Sequence, residues 1–204
     1  MNVQKVLIFV LLFLMFSVVK AQDIIRFADG KILECKVEGI TDTTVWFIEK
    51  PYKKNPKETI LRNDDIFSVV FGDTSEVVVY KPDASDKLAF NVEQMRNYVA
   101  GASFARRNYK AIIPTTGAFI AGAGGGLLGF WGLLIPLTYD LGISSYLPRA
   151  KNYRKEPLPP NADEFFAIGY QDVANKRRTH RIIASSFAGV VAIVVYTTLM
   201  TKGE

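Results

Sequence analysis

This chain of 204 residues holds one cysteine and one histidine. Cys35 has no second cysteine to pair with, so no internal disulfide braces the fold, and its place is that of a small core residue. With His180 alone, a histidine-based metal cluster is excluded, and no Cys, Asp or Glu spacing replaces it. His180 stands among Lys176, Arg178 and Arg181, a solvated or interfacial setting rather than that of a general base. Cys35 has no histidine near it in sequence to activate it as a nucleophile. A third lack is regional: residues 112–137 contain no charged side chain. Together these absences leave no acid-base or nucleophilic constellation, no cofactor motif and no enzymatic reading.

What is present is segregated. The hydrophobic share of 49% is ordinary, but much of it is gathered into blocks at residues 6–19, 112–137 and 182–200. The net charge of +5 could suggest nucleic acid, yet the basic residues crowd against the apolar blocks, where snorkelling and anionic headgroups account for them. Arg106, Arg107 and Lys110 precede the middle block; Lys176, Arg177, Arg178 and Arg181 precede the last. They read as membrane-border residues, with lipid rather than nucleic acid as the partner.

Residues 1–21 have a short basic start, an apolar core and Val19-Lys20-Ala21, the pattern of a secretory signal peptide. Residues 22–82 then switch to short β-branched and aromatic runs separated by turns. Asp29-Gly30 is a hairpin turn, and Leu33, Cys35 and Val37 alternate with Glu34, Lys36 and Glu38 as in a half-buried strand. Six short strands predict a small all-β module, an SH3- or Sm-like barrel or rolled sheet. The loop around Tyr52, Lys53 and Lys54 is its most distinctive surface.

Residues 83–110 form a linker and an amphipathic helix capped by Asn91 with Gln94 three positions on. Residues 111–138 are long enough to be a first transmembrane segment, with Pro114 and Pro136 near its ends. Residues 139–181 form a basic connection and a helix started by Asn161 with Glu164 in the capping-box position. Residues 182–200 form a second crossing, continuous with that helix as one rod of roughly 60 Å, and residues 201–204 a short tail. The fold class expected is thus an α+β membrane protein: an extracytoplasmic β module, an amphipathic helix and two transmembrane helices. Positive charge favours the cytoplasm for residues 139–181, while the signal peptide sends the β module outward. Two crossings reconcile both, with the module in the periplasm of a bacterial inner-membrane protein.

In the first crossing Ala118, Gly122 and Gly126 form one small-residue stripe and Gly125 with Gly129 a second; in the last, Ser185-Gly189 and Ala184-Ala188-Ala192 offer matching surfaces. So many glycines weaken a helix unless a neighbour compensates. The Gly122-to-Gly126 run is no phosphate loop, since no Lys-Ser/Thr follows it. The stretches around Gly101 and Gly169 echo one another, each followed by Lys/Arg and an apolar run, through duplication or through similar mechanical demands.

These motifs, Asp29-Gly30, Asp65-Ile66, Gly101 with Ala105 and Tyr109, the glycine-rich block and Gly169-Tyr170 ahead of Lys/Arg, resemble a group of uncharacterised Bacteroidota-type envelope proteins. The resemblance implies location and architecture and brings no activity. The function expected is a non-catalytic scaffold displaying a β module, with a protein partner or a homo-oligomer formed through the membrane helices. The alternative is a subunit of an oligomeric transport or channel complex.

Overall fold

The structure is a computed structural model describing residues 22–49, 57–83, 89–128, 134–144, 159 and 162–201. The expected signal peptide, the Tyr52-Lys53-Lys54 loop, Gly129 and Asn161 lie outside the described residues. The chain divides into two units, a β sheet (Met1–Phe27 with Ile32–Tyr80) and a helical unit (Ala28–Lys31 with Lys81–Glu204).

The first unit is a six-stranded antiparallel sheet: β1 (Asp23–Phe27), β2 (Ile32–Ile40), β3 (Thr44–Glu49), β4 (Lys57–Arg62), β5 (Ile66–Val70) and β6 (Glu76–Val78). Its order is β4-β3-β2-β1-β5-β6, so it is an open sheet with β4 and β6 at the edges. The alternation read from sequence holds. Cys35 is buried, with Leu33 and Val37 packed beside a core of Ile25, Val45, Phe47, Ile66, Val69 and Val79. Register shifts between Arg26 and Phe27 and between Val37 and Gly39 bend the strands. Asp23 fixes this bend: its carboxylate accepts from the Val37 and Gly72 N–H groups, each at 2.9 Å. Burial, with Asp23 close by, pushes the Cys35 thiol up to about 12, so it is neither charged nor nucleophilic at neutral pH.

The second unit contains α1 (Val92–Asn108), α2 (Ile112–Leu127), α3 (Leu134–Ser144) and α4 (Glu164–Thr201). α1 begins with the expected capping box: Gln94 N–H donates to Asn91 Oδ1 and Asn91 N–H to Gln94 Oε1, both at 2.9 Å. The helix–sheet expectation of a turn at Asp29-Gly30 is met, with Gly30 at φ +77°. That turn groups with the helices. Ser103 Oγ donates to Gly30 O at 3.0 Å, Arg106 Nε to Asp29 O at 3.0 Å, and the Arg106 guanidinium pairs with the Asp29 carboxylate. A Cβ on Gly30 would lie 2.4 Å from Ser103 N, so glycine is required by both backbone angle and space.

The expected first crossing, residues 111–138, is not one helix. α2 spans 16 residues, about 24 Å at 1.5 Å per residue, short of the ~30 Å hydrocarbon core. It closes with Leu128 N–H on Gly125 O, a tightened last turn after three consecutive glycines. Pro136 does not end this helix; it sits in the first turn of α3, where a missing N–H costs little, as Pro114 does in α2. α3 then folds back, for Tyr139 Oη donates to Pro114 O at 3.2 Å. The tyrosine fits because position 117 is glycine: a Cβ there would lie 2.0 Å from the phenol oxygen. α2 and α3 therefore form a hairpin.

α4 confirms the expected rod, 38 residues or about 57 Å. Its cap is Asp163, two residues after the expected Asn161, with Phe166 N–H donating to Asp163 Oδ1 at 2.8 Å. Among the described residues it is the one helix long and apolar enough to cross a membrane, and only 17% of its most apolar 18-residue stretch is buried.

Candidate functional site: a glycine seam with a basic collar

α1 and α2 run in the same direction as α4 and pack along it, and the seam is made by glycines at two levels. A Cβ on Gly101 would lie 2.0 Å from Phe166 O, and one on Gly169 would lie 2.0 Å from Tyr98 O. Each glycine thus faces the residue three before its opposite number. The same reciprocal pattern recurs higher up. Gly122 would meet Ser186 O at 2.0 Å, and Gly189 would meet Phe119 O at 2.2 Å. Backbones that approach this closely gain dispersion contacts along their length, and any side chain at these points would separate them.

The expected packing residues are thereby placed. Ala118, Gly122 and Gly125 are buried, Gly189 is buried, and Ser185 Oγ donates to Thr115 O at 2.8 Å. A Cβ on Gly126 would meet the Ile193 side chain, Cγ2 at 2.3 Å, with the Val190 backbone farther off at 3.5 Å. Ala184, Ala188 and Ala192 are exposed and take no part in the seam. Among the described residues buried Ser186 Oγ has no hydrogen-bond partner. The sequence echo around Gly101 and Gly169 matches the register of the lower level. Its partners in the upper level, Gly122 and Gly189, were each legible as small-residue positions, but their mutual register was not.

Around the lower level the two helices are joined by large side chains and polar bonds. Phe104, Tyr109, Phe166, Tyr170 and Val173 form one buried cluster, with Phe104 tilted against Phe166 and Tyr109 edge-on to Tyr170. Asn97 Nδ2 donates to Asp163 Oδ2 at 2.6 Å, and Tyr98 Oη to Asp172 Oδ2 at 2.7 Å. Burial and the Asp172 carboxylate both push the Tyr98 phenol upward, so it remains a donor. The Asp163 carboxylate is held below its ordinary 3.8 by the Phe166 N–H it accepts, with Asn97 assisting. Sequence reasoning missed these pairs, since each joins residues at least 66 positions apart.

The basic residues divide by role. Lys176 pairs with Asp172 at 3.0 Å along α4. Arg177 donates to Arg106 O, closing the C-terminal turn of α1, where a cation also complements the helix dipole. Arg178 is buried and donates to Asn175 Oδ1 at 2.6 Å. Arg106 holds the Asp29 turn. Arg107, Lys110 and Arg181 are exposed, and they form the outward part of the collar.

Among the described residues no group of three or more His, Cys, Asp or Glu stands where it could hold a metal ion. No family model, curated protein or solved structure matches the chain.

Proposed function

We propose that the chain is a non-catalytic interaction protein of a bacterial inner membrane, which presents a small β module to a protein partner. α4 provides the crossing, and α2–α3 is a hairpin that enters and leaves through the same side. The carrying observation is the exterior of the upper seam: Phe187 is 70% and Ile113 80% exposed, on helices already packed against each other through glycine. An apolar exterior of that kind is matched by lipid. Further support comes from the meeting of Asn97 and Asp163, which puts the polar starts of α1 and α4 at one end of the helical unit.

We also read the sheet as rolled in the SH3 or Sm manner: two bulges bend it, a 3-10 turn (Asn63–Asp65) follows β4, and β5 returns to pair with β1. The envelope-protein resemblance fits this assignment. Under this threading the two sequence arguments part company, because the basic connection travels with the exported module. The first segment to engage the membrane usually dominates orientation, so the module and the connection are both outside and the C-terminal tail inside.

Labelling with an impermeant maleimide in spheroplasts tests this, and buried, protonated Cys35 leaves the background silent. Glu58→Cys and Ala162→Cys should label in intact spheroplasts, and Lys202→Cys only after permeabilisation. Labelling of Glu58→Cys and Lys202→Cys with Ala162→Cys protected would restore two crossings and overturn the hairpin.

A further inference from the structure

Where the polar half of the helical unit meets its apolar half, a groove of about 520 Å³ opens between the start of α2 and the middle of α4. Arg181 forms its polar lip, and Ala111, Ile112 and Ala184 are among its apolar walls. Among the described residues no carboxylate pairs with Arg181, whereas Lys176 has Asp172. Three hydroxyls also line it, and all three have committed their protons: Thr115 to Ala111 O, Thr116 to Ile112 O at 3.1 Å, and Ser185 to Thr115 O at 2.8 Å. They therefore turn oxygen lone pairs, which accept and do not donate, toward whatever fills the space.

From this we infer that the groove binds one anionic phospholipid whose headgroup itself carries hydroxyls. The chemistry selects each part. A phosphate takes the open guanidinium in a charge-assisted pair; headgroup hydroxyls donate to Thr116 and Ser185; an acyl chain continues over exposed Ile112 and Ile183. Exposed Lys110 and Arg107 add positive charge at the same level, which favours a net anionic headgroup over a zwitterionic one. A cationic headgroup amine would meet that collar unfavourably. This inference rests on the membrane reading above.

The test uses the full-length protein in mild detergent, with native mass spectrometry counting retained lipid. Phosphatidylglycerol should bind in preference to phosphatidylmethanol, which has the same charge and no headgroup hydroxyl, and to phosphatidylethanolamine. Arg181→Gln should weaken phosphatidylglycerol retention about tenfold, the loss of one charge-assisted bond, with Arg181→Lys restoring part of it and Lys176→Gln leaving it unchanged. Equal loss in Lys176→Gln would mean general charge attraction and overturn the site. So would unchanged binding in Arg181→Gln, equal retention of phosphatidylmethanol, or competition by inorganic phosphate at equal concentration. Carbonate extraction separates the two readings: a protein released from membranes without detergent fails the membrane assignment, whereas one retained but indifferent to Arg181 fails only the groove.

Discussion

Along one helix, α4, two ways of joining helices stand end to end. From Glu164 to about Arg181 the contact with α1 combines aromatic burial, side-chain hydrogen bonds across the seam and a close glycine crossing. From Ile182 onward the contact with α2 keeps the glycine crossing and loses almost everything else; Ile182 and Ser186 are buried, but most other side chains face outward. In water, removing large apolar groups from solvent is the main driving force, so the lower half is built of Phe and Tyr. Where the surroundings are themselves apolar that force vanishes between helices, and close backbone packing is left to do the work. The same spacing of glycines serves both halves; only the side chains around it differ.

The largest break in this comparison should come from Phe166→Ala. Its ring is packed against Phe104 in the lower cluster, and truncation should cost about 3–5 kcal/mol, read as a fall in the denaturation midpoint in detergent. Gly122→Val strikes the upper half instead, forcing a side chain into Ser186 O. A loss of about 3 kcal/mol, at the upper end for overpacking, should appear as chymotrypsin sensitivity of the apolar region while the lower half stays folded. If Gly122→Val is harmless, close packing is not what holds α2 to α4.

A matched pair sharpens the point. Gly101→Ala and Gly122→Ala each place a Cβ 2.0 Å from a backbone oxygen, one in each half. Both should destabilise by about 1–3 kcal/mol, and Gly126→Ala, which meets the Cγ2 methyl of Ile193 at 2.3 Å rather than a backbone oxygen, by less. A large effect at Gly101 with none at Gly122 would confine the seam to the polar half.

Acid should act on the lower half alone. Asp163 has a native value below 3.8, so its contribution is present in full above that value and is lost as pH falls through 3.8 toward the lower native one. Asp163→Asn keeps a cap but cannot titrate, and should flatten the acid limb of the stability curve measured by circular dichroism. The smallest effect belongs to Gly124→Ala. Nothing lies within 4 Å of its Cβ position, so the exchange should be neutral or stabilising by up to ~1 kcal/mol through helix propensity.

Much of this was legible in the chain. Strand alternation around Cys35, the Asn91 capping box, the α4 rod and the small-residue stripes all depend on short-range patterns that sequence displays directly. The α2–α3 hairpin was not, because 26 uncharged residues satisfy the length of a crossing whether or not they turn back. One helix ends just after a glycine triplet and the next has Pro136 in its first turn, and a proline near a segment boundary looks the same in either role. The cap at Asp163 rather than Asn161 was not legible for a similar reason: both residue types accept from backbone N–H groups equally well, and the bond from Asn97 to Asp163 joins residues 66 positions apart. The groove beside Arg181 is lined in part by hydroxyls whose orientation depends on helix carbonyls, and composition carries no trace of that.

The reciprocity of the seam has one more consequence. Because each glycine faces the residue three before its counterpart, the surface of α1–α2 and the surface of α4 are shaped for one another without reference to which chain supplies them. If the homo-oligomer expected from the sequence forms, a contact of that geometry allows α4 of one chain to lie on α1–α2 of the other. On the membrane reading proposed above, crowding in the plane of the bilayer would then favour an exchanged dimer that requires no new interface.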